Sequence, residues 1–199
     1  MSMDKKVLRR VVRERLSSVA DSEKEARSAL LCKSLLNTLS EYEGGVVALY
    51  SPLPGEVQVW PLITALSLSC TVVLPRVEGD TMRFFTYSEH SMEKGAYGIL
   101  EPMNGRCVVP SEIDVIVVPG VAFTAEGARI GRGKGYYDKY MSQTAFRAVK
   151  IGVCFKEQLL GSLPVEEHDI FMDRVEVESE AGKGTAVTMT KRLDSCNGQ

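Results

Sequence analysis

At 199 residues the chain fits one domain of ordinary size. Its hydrophobic fraction of 44% and charged fraction of 25% are average for a soluble globular protein. With a formal net charge of −2, nothing in the composition argues for a nucleic-acid or membrane-surface partner.

Residues 4 to 16 have the period of an amphipathic helix, with Leu8, Val11, Val12 and Leu16 on one side. Lys5, Arg9 and Arg13 recur every fourth residue and share another face. Ser22 followed by Glu25 is a capping-box pattern, predicting a second helix to about Ser40 through Leu30, Leu31, Leu35 and Leu36. After Gly44-Gly45, "VVALY" (46 to 50) reads as a buried strand ending in the loop "SPLPGE". A helix is expected over 59 to 69, with Pro61 in its first turn. Strands are expected at 71 to 77 and 82 to 87, around the turn "EGD", before a loop-rich stretch from 88 to 110.

The run "IDVIVVPGVAFT" (113 to 124) is apolar on both faces and predicts a central strand. A glycine-rich loop follows, then a helix from about Tyr136, then strands at 148 to 155 and 174 to 179. This alternation predicts a single α/β domain over residues 1–180, with a mainly parallel sheet flanked by helices. The Gly/Thr/Ser/Asn-rich segment 181–199 is expected to be a flexible tail. The five cysteines are odd in number and far apart, with no CxxC or Cys/His cluster. They point to a reducing compartment and away from a zinc site. With a charged N-terminus and no apolar run near ~20 residues, a cytoplasmic location is expected.

The loop is "RIGRGKGYYDKY", residues 129 to 140. Placed after a strand of an open α/β sheet, it stands where such folds bind ligands. Backbone N–H groups of a glycine-rich turn entering a helix form an anion cradle. Arg129, Arg132 and Lys134 would add charge-assisted contacts to phosphate oxygens, and Asp138 could hold an accompanying divalent ion. The spacing Gly131-Gly133-Gly135 is GxGxG, not the GxGxxG of a dinucleotide fold, and a Walker A loop is missing its first glycine and its Ser/Thr. A basic surface hairpin is the bland alternative.

"RIGRGKGYYDKY", preceded by "DVIVVPGVAFTAEG", resembles the signature of the 5-formyltetrahydrofolate cyclo-ligase (5,10-methenyltetrahydrofolate synthetase) family. "KKVLRRVVRERL", "GEV", "YGILEP", "FKEQ" and "LPVEEHDIFMD" agree in order, so the likeness covers about residues 4 to 175. The resemblance implies a monomer on a sugar-phosphate isomerase/CoA-transferase-like scaffold. It also implies ATP- and Mg²⁺-dependent ring closure of 5-formyltetrahydrofolate to 5,10-methenyltetrahydrofolate, with ADP and phosphate released. The formyl oxygen would be phosphorylated and the carbon then attacked by N10, chemistry that needs positioning and cations more than a protein nucleophile.

The same resemblance assigns ATP contacts to Lys5, Arg9 and the stretch Arg129, Ile130, Gly131, Arg132, Gly133, Lys134, Gly135, Tyr136 and Tyr137. It assigns folate contacts to Tyr50, Ser51, Glu56, Arg132, Gly133, Lys134, Gly135 and Tyr136, and Mg²⁺ to Asp138 and Asp169. Arg129, Arg132 and Lys134 would be the catalytic cations. Taken without the family, Lys5 and Arg9 read as a solvated helix face, Glu56 as a carboxylate at a helix start, and Asp169 as part of an acidic turn. Two other functions stay open at this point: a folate or nucleotide carrier without turnover, and a sugar-phosphate or CoA-ester enzyme on a similar scaffold.

Overall fold

The computed structural model describes residues 4–95, 98–178 and, as backbone only, 185–188. Val115, Ile116, Val117 and Val118 are all buried, which a strand achieves only when both of its faces are covered. That strand, β7 (Val115–Pro119), lies between β1 (Val46–Ala48) and β10 (Val149–Cys154), parallel to both. Outward from them come β2 (Thr71–Glu78) on one side and β11 (Arg174–Val177) on the other, also parallel. The rims are antiparallel: β3 (Thr81–Thr86) and β6 (Cys107–Val108) at one, β12 (Thr185–Thr188) at the other. β12 falls inside the segment expected to be a flexible tail.

Side chains alternate across this sheet and so sort into two cores. Val47, Val115, Val117, Ile151 and Val153 meet α1 (Lys5–Ser17), α2 (Asp21–Leu39) and α3 (Trp60–Leu66) on one face. Ala48, Ile116, Val118 and Val175 meet α4 (Tyr136–Met141) on the other. In α1, Leu8, Val12 and Leu16 recur every fourth residue and are buried, each stabilising by roughly 1.5–3 kcal/mol. α2 begins at Asp21 with Ala20 as an N-cap that offers no side-chain bond, so the expected Ser22 capping box does not form. Of its predicted leucines, Leu31 and Leu35 are buried while Leu30 and Leu36 are exposed. Among the described residues no helix is long and apolar enough to cross a membrane.

The predicted strand 113 to 124 divides. β7 stops at Pro119, and the chain turns at Gly120 into a two-stranded hairpin, β8 (Ala122–Phe123) with β9 (Arg129–Ile130). The cause is packing: the Phe123 ring folds back against the backbone of Gly120 and Gly152, where an added Cβ would stand 2.6 and 2.5 Å from it. Gly152→Ala is therefore expected to destabilise by about 1–3 kcal/mol through overpacking. A urea midpoint equal to wild type's would show that Phe123 is not wedged there. The stretch 88 to 110 holds a further small pair, β4 (Met92–Lys94) with β5 (Leu100–Pro102).

Candidate functional site

The loops leaving the carboxyl ends of β1 and β7 lie side by side, the place where open α/β sheets bind ligands. In the second of them the three glycines are needed for different reasons. Gly133 (φ 110°) and Gly135 (φ 69°) have left-handed backbones that side chains rarely adopt. Gly131 is needed for room: a Cβ there would stand 2.9 Å from Arg129 Nη1.

Arg129 is almost fully buried, its guanidinium donating to Asp138 Oδ2 at 2.8 Å and to the Pro119 carbonyl at 3.3 Å. Its Nε is buried without a partner, and its guanidinium carbon lies 5.7 Å from the centre of the Tyr137 ring. Asp138 also accepts from the Ile170 N–H at 3.5 Å. From the other loop, Glu56 accepts from Arg132 Nε at 2.8 Å and from the Leu53 N–H at 2.9 Å. Tyr50 donates to the Val57 carbonyl at 2.8 Å, and the Ser51 hydroxyl is buried without a partner.

Helix α1 closes the arrangement. Arg9 Nε donates to the Gly131 carbonyl at 2.8 Å, while Lys5 Nζ reaches Asp169 at 2.6 Å and Glu166 at 3.3 Å. Burial alone would lower the Lys5 pKa, but Asp169 and Glu166 outweigh it and raise it. Burial likewise pushes the Asp169 carboxyl up, while Lys5 and the Glu166 N–H outweigh it and hold that carboxyl below its usual value. Both charges thus persist through neutral pH.

Two cavities result. The main one, about 430 Å³, has an apolar wall of Pro75, Val77, Met82 and Ile99 opposite Tyr50, Ser51, Glu56, Arg129, Arg132, Lys134, Tyr136 and Tyr137. The second, about 640 Å³, is lined by Lys5, Arg9, Ile130, Gly133, Lys139 and Asp169 among others. Arg129, Gly131, Gly135 and Asp138 line both. The glycine loop is the wall between them.

Every candidate residue from the sequence lines one cavity or the other. The resemblance gave Arg132, Gly133, Lys134 and Tyr136 to both ligands and Tyr137 to ATP; of the two cavities, Arg132, Lys134, Tyr136 and Tyr137 line the main one and Gly133 the second. Pro75, Val77, Met82 and Ile99 of the apolar wall were not read as part of the site. They come from β2, β3 and the segment around β5, where only ordinary strand patterning is visible. Among the described residues no group of three His, Cys, Asp or Glu side chains is placed to hold a metal ion.

A family model described as the 5-formyltetrahydrofolate cyclo-ligase family matches residues 1–178. The chain belongs to that family. As a cyclo-ligase by family, it is an enzyme of the ligase class. It is similar to the 5-formyltetrahydrofolate cyclo-ligase of Mycolicibacterium smegmatis, 30% identical over 182 residues, which are 86% of this chain and 92% of that one. The solved structure of Aquifex aeolicus 5,10-methenyltetrahydrofolate synthetase superposes with a TM-score of 0.83 at 32% identity, covering 98% of each chain. The Mycoplasma pneumoniae 5,10-methenyltetrahydrofolate synthetase gives a TM-score of 0.71 at 25% identity, covering 87% of this chain and 98% of that one. The single α/β domain with its mainly parallel sheet is thus the family's fold.

Proposed function

We propose that the protein closes 5-formyltetrahydrofolate to 5,10-methenyltetrahydrofolate at the expense of ATP, releasing ADP and phosphate. The observation that carries the reading is the partition: one glycine loop separates a cavity with an apolar wall from one lined by charges of both signs, and Arg129 lines both. The flat pterin suits the apolar chamber, against Glu56, which can accept from its N–H groups. The ATP phosphates suit the second, where Lys5 and Arg9 supply charge. The γ-phosphoryl group is transferred to the formyl oxygen at the wall, forming the P–O bond as the bond to ADP breaks. N10 then attacks the activated carbon, its proton is lost, and phosphate departs with the former formyl oxygen.

Arg129, Arg132 and Lys134 stabilise the charge that moves between the chambers. The residues present fit Mg²⁺, which binds through one or two carboxylates plus phosphate oxygens: Asp138 and Asp169 both line the second cavity. When bound it would neutralise phosphate charge. Both chambers are built by one chain, so a monomer in the cytoplasm, with small molecules as its only partners, suffices for this reading. The test mixes protein, 5-formyltetrahydrofolate and Mg-ATP and follows the methenyl chromophore together with ADP. Folate-stimulated ADP release with the chromophore is the expected result. ADP release indifferent to the folate would refute the reading.

A further inference from the structure

The resemblance gives Tyr136 to both ATP and the folate and Tyr137 to ATP alone, yet both residues line the main cavity and neither lines the second. Tyr136 has its hydroxyl on the Gly79 carbonyl at 3.2 Å. Tyr137 differs. Its hydroxyl has no hydrogen-bond partner among the described residues, although the ring is held by packing against the α4-side core and by the Arg129 guanidinium.

Most donors around it are already engaged. Tyr50 is bonded to Val57, Arg132 Nε to Glu56, and the Arg129 fork to Asp138 and Pro119. The Ser51 hydroxyl is unpartnered but fully buried. Burial first, and the Glu56 charge second, push the Tyr137 phenol far above its ordinary pKa, so it is a neutral donor at every working pH. A carboxylate can only accept. A heterocycle that carries an N–H beside a carbonyl or ring-nitrogen acceptor needs an acceptor and a donor together, and Glu56 with Tyr137 provides such a pair on the polar side of the chamber, opposite its apolar wall.

We propose that Tyr137 binds the folate rather than the nucleotide, donating its hydroxyl to an acceptor atom of the heterocycle that lies against Glu56. The assignment rests on the cyclo-ligase reading for the identity of the heterocycle. Tyr137→Phe keeps the ring and its packing and removes the donor alone, so the melting temperature should stay at the wild-type value. Titrated with 5-formyltetrahydrofolate, the variant should bind about tenfold more weakly, the effect of one buried neutral hydrogen bond. Titrated separately with Mg-ATP, it should bind like wild type. Weakened Mg-ATP binding with unchanged folate binding, or no change in either, would overturn the assignment. Wild-type turnover separates the two ideas: protein that binds the folate but does not cyclise it refutes the proposed function and leaves the tyrosine assignment to stand or fall on affinity. Protein that does not bind the folate refutes both.

Discussion

Asp138→Ala should cost about 3 kcal/mol of folding stability and remove most of the activity. The Arg129 side chain is only 3% exposed, and Asp138 is its one carboxylate partner among the described residues. Arginine cannot shed its charge by deprotonation, so loss of Asp138 strands a buried cation. Breaking such a pair from one side costs about 3–5 kcal/mol. The lower end applies because Asp138 itself is 19% exposed and water can reach part of the site. The control is the double variant Asp138→Ala/Arg129→Met, which has no charge to strand and should recover much of the lost urea midpoint while staying inactive. If the single variant unfolds where wild type does, the pair is not a buried electrostatic unit.

Arg132→Ala combined with Lys134→Ala should give the opposite profile, stable but nearly inactive. Arg132 is 43% exposed, so solvent screens its bond to the 9%-exposed Glu56, which keeps the Leu53 N–H, and losing the pair costs about 1 kcal/mol. In turnover the two cations would each contribute a charge-assisted hydrogen bond, roughly 1.5–3 kcal/mol apiece. Together that predicts a fall in kcat/KM of about 10²–10⁴ at a nearly unchanged melting temperature. Wild-type kinetics in the double variant would reduce the loop to a structural hairpin. A matched loss of stability and rate would instead place these residues in the scaffold. Comparing this variant with Asp138→Ala separates the loop's catalytic charge from the charge that holds its frame together.

The parallel sheet was legible because β1, β2, β7 and β10 are short apolar runs separated by helical periods, a pattern set by local burial. The glycine loop was legible because Gly133 and Gly135 answer a backbone demand that no other residue meets cheaply. What sequence spacing concealed was everything decided across the chain. The hairpin inside 113 to 124 depends on Phe123 meeting Gly152, a residue from another strand. Nothing along the helix shows that Asp138, whatever else it holds, pairs with the buried Arg129. Tyr136 and Tyr137 follow the left-handed turn at Gly135 and line the main cavity but not the second, a direction that spacing along the chain does not show. The apolar wall of Pro75, Val77, Met82 and Ile99 is assembled from three segments with no shared signature.

A partition made of a glycine backbone has a consequence for how such an enzyme can be altered. A methyl group at Gly131 would displace the Arg129 guanidinium, and at Gly133 and Gly135 it would strain the backbone. Selectivity therefore cannot be tuned at the wall itself, where any added atom would displace the reacting groups. The adjustable positions are the two outer rims. Ile99 and Met82 border the apolar chamber, and Glu166 and Glu167 the charged one, all away from the strained turn. On the proposed reading, pteridine and nucleotide selectivity can be altered independently, at rims on opposite sides of the glycine loop.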